Sequence, residues 1–181
     1  MAELASYSES NQSNFWSISS VDFKNQIGQS WTNDNEAVLT SAKFYLMKTG
    51  SPTGNIRAKL YSHGGTYGSS SVGVTLLATS DNVDVSTLGG SFALQEFTFS
   101  GGEQYSLAAS TYYVVSVEYL GGDNDDYVRV GTDNTAPSAS GNMCHEDGGS
   151  WTASSGTDEC FYVYGDVASA GGRNILLLGA G

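Results

Sequence analysis

The sequence predicts an all-β protein, an antiparallel jelly-roll β-sandwich, and three observations carry that prediction. Short runs rich in β-branched and aromatic residues alternate apolar with polar positions, the period of a half-buried strand. Glycine is abundant, 23 residues against 2 prolines, and falls with Ser, Asn and Asp between those runs. No segment carries a helical period. With 181 residues, 39% of them hydrophobic, the chain is long enough for one domain with a real core.

Each element follows from the same pattern. Residues 26–32 form a short strand. From Ala37 to Met47, Val38, Ala42, Phe44 and Leu46 face one side, and Lys43 and Tyr45 the other. Gly50-Ser-Pro-Thr-Gly54 supplies a turn, and residues 55–62 resume with Ile56, Ala58 and Leu60 inward and Arg57, Lys59 and Tyr61 outward, which predicts a hairpin. Residues 63–71 read as a mobile loop. Strands follow at 76–80 and 95–99, where Phe97 and Phe99 share a face. Residues 112–120 make the strongest strand, with Tyr113, Val115, Val117 and Tyr119 on one side, and it is expected to be central. The acidic loop 121–126 ends it. Strands at 127–132, 140–145 and 160–167 complete the set. The organisation is an N-terminal arm or first edge strand over 1–14, a sandwich over 15–166, and a Gly-rich tether with an apolar tail over 167–181.

Charge narrows the partners. Nineteen Asp and Glu against 7 Lys and Arg give a formal net charge of -12, which repels nucleic acid and anionic membrane surfaces. No apolar run approaches the ~18 residues of a spanning helix, and Met1-Ala-Glu-Leu-Ala-Ser6 lacks the basic and apolar regions of a secretory leader. Cys144 and Cys160, the only cysteines, flank a Gly/Ser-rich connection between strands expected to be neighbours. A cross-strand disulfide, contributing about 3 kcal/mol by loop closure, and a pair of buried free thiols both fit that spacing.

Reaction chemistry is sparse. Cys144-His-Glu-Asp147 contains metal-ligand types, but alternate strand residues point to opposite faces and no second Cys/His pair completes a zinc set. Glu118 has no carboxylate on its own strand to share its face and reads as an exposed polar-face residue. A Gly-x-Ser-x-Gly elbow is absent. The loop carboxylates Asp123, Asp125 and Asp126 are weak calcium candidates beside the simpler reading of a solvated acidic turn, and no other cofactor is expected. Trp151, Tyr67 and Tyr127, with Tyr61, are the candidate glycan platforms. The consecutive apolar residues Ile175, Leu176, Leu177 and Leu178 on a Gly-rich tether are a candidate assembly segment that docks on a neighbouring subunit.

A family resemblance rests on an ordered set of segments. These are Gln29-Ser-Trp-Thr32, Leu39 to Leu46, Gly50 to Tyr61, the Phe97/Phe99 strand, Tyr112-Tyr-Val-Val115, Asn124 to Arg129, Trp151, and Phe161-Tyr-Val-Tyr164. Over roughly residues 15–165 the chain resembles the choice-of-anchor type R jelly-roll domains, which are carbohydrate-binding-module-like in outline and also occur in phage-like structural proteins. The resemblance implies a non-catalytic module. Together with the bare start, the single domain and the apolar tail, it predicts a non-enzymatic virion structural protein: a capsid-decoration, head-fibre or tail-accessory subunit. Such a subunit would form homo-oligomers and contact other virion or surface structural proteins. The alternative is an extracellular carbohydrate-binding module.

Overall fold

A computed structural model describes residues 1–21, 24–135 and 137–168. Two antiparallel sheets pack face to face as a β-sandwich, and the only helices among the described residues are single 3-10 turns. In chain order the strands are β1 (Ala2–Tyr7), β2 (Asn14–Ile18), β3 (Gln26–Asn33), β4 (Ala37–Thr49) and β5 (Asn55–Gly64). Next come β6 (Val72–Thr79), β7 (Val83–Asp84), β8 (Ala93–Thr98), β9 (Ser106–Leu107) and β10 (Thr111–Tyr119). The set closes with β11 (Tyr127–Asp133), β12 (Met143–Asp147), β13 (Ser150–Ser154), β14 (Asp158–Glu159) and β15 (Phe161–Val167). The first sheet runs β1-β15-β4-β11-β14, with β8 and β9 also on β4 and β2 also on β11. The second runs β13-β12-β3-β10-β5-β6, with β7 on β5.

The core lies between the sheets. Phe44, Leu46, Phe97 and Phe99 from the first meet Ile27, Ile56, Leu60 and Val117 from the second, all essentially fully buried. Phe44 and Phe97 meet edge to face, 5.9 Å between centroids, an arrangement the ring quadrupole favours. β10 is central in its sheet, between β3 and β5, with Tyr113, Val115, Val117 and Tyr119 inward as its alternation requires.

Three expectations change. The turn at residues 50–54 closes no hairpin: β4 and β5 belong to different sheets, and the turn arches across the core. Alternation fixes which side chains face the core, but Leu46 and Ile56 face it equally well from paired strands or from stacked sheets.

Val38 points outward and Leu39 inward, because β4 gains a residue against β15 at Thr40, where Ser41 pairs with Tyr164 and Leu39 with Gly165. That bulge reverses the in–out phase of the strand's first turn. The 63–71 loop is anchored, since the buried Asn142 amide oxygen accepts the Ser71 N–H at 3.1 Å and Tyr67 Oη lies 2.9 Å from Ser140 Oγ. At the N-terminus, β1 is an edge strand paired with β15.

Candidate functional site

The outer face of the second sheet carries the densest set of polar and aromatic groups. On β10 the outward residues are Tyr112, Val114, Ser116 and Glu118, opposite in phase to the core set. Pairing across the sheet aligns Trp151 of β13 with Glu146 of β12, then Gln26 of β3, Glu118 of β10 and Arg57 of β5. One row thus crosses five strands, about 19 Å at the usual strand spacing.

Trp151 reaches this row from a tight hairpin whose central residues, Gly148 and Gly149, both have positive φ, 58° and 90°. Such turns favour glycine because side chains clash there. The Glu146 carboxylate accepts the Gly149 N–H and braces the turn. The indole lies on Gly73 of β6, where a Cβ would fall 2.9 Å from Cε2, and Tyr61 meets it edge-on at 5.3 Å. The two edge strands of the sheet therefore fold toward each other over its outer face. Beneath them Tyr61, Val114 and Cys144 form a second, small apolar cluster.

That curl overturns the reading of Glu118 as an exposed side chain. It is 6% exposed, and Arg57 Nε donates to one oxygen at 2.6 Å and Lys59 Nζ to the other at 2.5 Å. Gln26 alongside is hydrogen-bonded to Ser116 Oγ at 2.8 Å and Tyr61 Oη at 3.2 Å. Gln26, Lys59, Tyr61 and Glu118, with Trp151 and Glu146, line an open recess of about 310 Å³. A smaller one of about 190 Å³ lies across Glu118, lined also by Arg57, Asn55 and Asn82.

Of the predicted glycan platforms, Trp151 lines the larger recess. Tyr67 is elsewhere on this face, stacked on Tyr112 at 4.1 Å beside His63. Tyr127 is on the other sheet, hydrogen-bonded to Arg129 Nη2 at 2.9 Å. The three make no common platform. Tyr61, the fourth candidate, lines the recess with Trp151; Gln26 and Lys59 join them through a register between distant strands that leaves no local signal in the sequence.

Of the two arrangements that fit the cysteine spacing, the structure has the pair of buried free thiols: Cys144 and Cys160 are placed on different sheets and in different apolar clusters. Burial raises both thiols, Cys160 to about 12. His145 turns to the opposite face from Cys144 and Glu146, 5.0 Å from the Trp16 ring, and burial lowers its pKa.

In the acidic loop Asp123 Oδ1 accepts the N–H groups of Asp125 and Asp126, both at 2.9 Å, and Asp126 Oδ1 accepts that of Ser51 at 2.5 Å. Its carboxylates thus tie down the arch between the sheets. Among the described residues no three His, Cys, Asp or Glu side chains are grouped as a metal-binding set.

A third recess, about 360 Å³, opens at the end of the first sheet, lined by Ala37, Val38, Leu107, Ala108, Asp166 and Ala168 among others. The Thr40 bulge turns Val38 into it, 37% exposed. Ala168 donates its N–H to Glu36 O at 2.9 Å, so the described chain ends at this recess. The candidate assembly residues Ile175 to Leu178 lie outside the described residues. Compared with protein-family models, with curated proteins and with solved structures, the chain matches none.

Proposed function

We propose that this chain is a non-enzymatic structural subunit of a virion-type assembly, of the capsid-decoration, head-fibre or tail-accessory kind, built on a jelly-roll domain of the choice-of-anchor type. The observation that carries the reading is the apolar recess beside Ala168, seven residues before the sequence Ile175-Leu-Leu-Leu178. An apolar recess where the described chain ends, and a short apolar segment seven residues further along the sequence, supply the two halves of a subunit contact that every copy offers to its neighbour. The charge of -12 supports protein partners over nucleic acid. Engagement of Glu118 by Arg57 and Lys59 supports a binding rather than a catalytic role for the polar face.

Sedimentation of the full chain, of a chain ending at Ala168, and of Val38→Asp tests the reading. The full chain is expected to form a defined oligomer that both variants lose while keeping its melting temperature within a few degrees. A monomeric full chain, or a truncated chain that assembles normally, would refute it.

A further inference from the structure

We infer that the outer face of the second sheet binds a neutral oligosaccharide, laid across the strands along the row Trp151, Glu146, Gln26, Glu118 and Arg57. This goes beyond the assembly role and rests on different residues.

The row offers what a pyranose chain needs. A sugar ring has an apolar C–H face and a rim of hydroxyls that both donate and accept. Trp151 and Tyr61, brought edge to face where the sheet curls over, supply an aromatic wall beside the row. The carboxylates of Glu146 and Glu118 accept, the Lys59 ammonium donates, and the Gln26 amide does both. Bidentate hold by Arg57 and Lys59 fixes the Glu118 oxygens before any ligand arrives, so little ordering remains to be done on binding.

Charge selects the class. Lys59, which lines the same recess, and Arg57 on the row balance Glu118 and Glu146, so this part of the face is locally neutral in a molecule of net charge -12. An anionic glycan meets a repulsive body with no local excess of cations, and a neutral one does not. Shape selects length. The recesses of about 310 and 190 Å³ share Glu118 and Leu120 as their common wall and so lie side by side. Their arrangement suits consecutive units of a chain better than a single sugar.

The test is isothermal titration of the intact protein with cellohexaose, xylohexaose and mannohexaose, and with dextran sulfate as the anionic arm. At least one neutral hexaose is expected to bind saturably. Trp151→Ala and Glu146→Gln should each weaken that binding about tenfold or more, whereas Tyr67→Ala and Tyr127→Ala leave it unchanged. Glu146→Gln keeps an acceptor for the Gly149 N–H, so it answers the question even if Trp151→Ala fails to fold. The inference is overturned if no neutral hexaose binds, if only dextran sulfate binds, or if Trp151→Ala and Glu146→Gln bind like the parent. Loss of assembly without loss of glycan binding would count against the subunit role alone.

Discussion

Glu159 is the least satisfied residue in the described chain. It is fully buried, its backbone N–H donates to Gln29 Oε1 at 3.0 Å, and neither carboxyl oxygen has a hydrogen-bond partner. Burial holds its carboxyl well above the usual range. The folded protein therefore keeps a proton that the unfolded chain releases above its pKa of about 4.3, and stability falls as pH rises from there toward the folded pKa. The slope is at most about 1.4 kcal/mol per pH unit. Glu159→Gln should raise the denaturant midpoint at pH 7 and leave it nearly unchanged at pH 4; equal midpoints at pH 7 would contradict the assignment. Asp133 works in the opposite direction. Hydrogen bonds from Ser13, the Thr135 N–H and Tyr7 outweigh its desolvation and hold it far below its normal value, so its contribution is present above about pH 4 and is lost in acid. Gly28 is a steric position. A Cβ there would lie 2.7 Å from Val115 O and 2.8 Å from Ser116 Cβ, and Gly28→Ala should cost about 1–3 kcal/mol in chemical denaturation.

At the scale of elements, β4 shows what an alternating pattern determines and what it leaves open. Ala42, Phe44 and Leu46 read correctly as inward, because their period is unbroken. The reversal at Val38 and Leu39 was hidden, since Thr40 at a bulge looks in sequence like any other strand threonine. It is held by its Oγ1 donating to Tyr164 O at 3.1 Å and its carbonyl accepting the Phe99 N–H at 2.8 Å. Deleting Thr40 should force Ala37 and Leu39 out of the core or break their pairing, lowering the melting temperature by well over 5 °C, whereas Thr40→Val should cost far less. Equal losses in thermal melts would mean that the hydroxyl rather than the extra residue matters. The polar row was hidden for a different reason. β12, β3, β10 and β5 come from distant parts of the chain, so Glu146, Gln26, Glu118 and Arg57 become neighbours only through sheet register. Trp151 was legible as a candidate platform, with Tyr61; the polar partners on its row were not.

Over the whole molecule, the sandwich class followed from composition and alternation, while strand assignment to sheets did not, because both sheets feed one core. The N-terminal residues gave the weakest signal, yet they close an edge: β1 covers β15 along residues 161–165, and the Met1 ammonium meets Asp166 at 2.9 Å. Removal of residues 1–7 should leave β15 as an open edge and drive open-ended, concentration-dependent association in light scattering beyond the defined oligomer of the intact chain at equal concentration. The curl of the second sheet has a further consequence for motion. Because Trp151 and Tyr61 roof the outer face, β10 is enclosed on both sides, with Val114 and Val115 both fully buried although they point in opposite directions. Its backbone amides can meet solvent only when the core and the roof open together. Amide hydrogens of Val114 to Val117 should thus exchange with deuterium last of all, at the rate of global unfolding, while the rims of the two polar recesses breathe on their own clock.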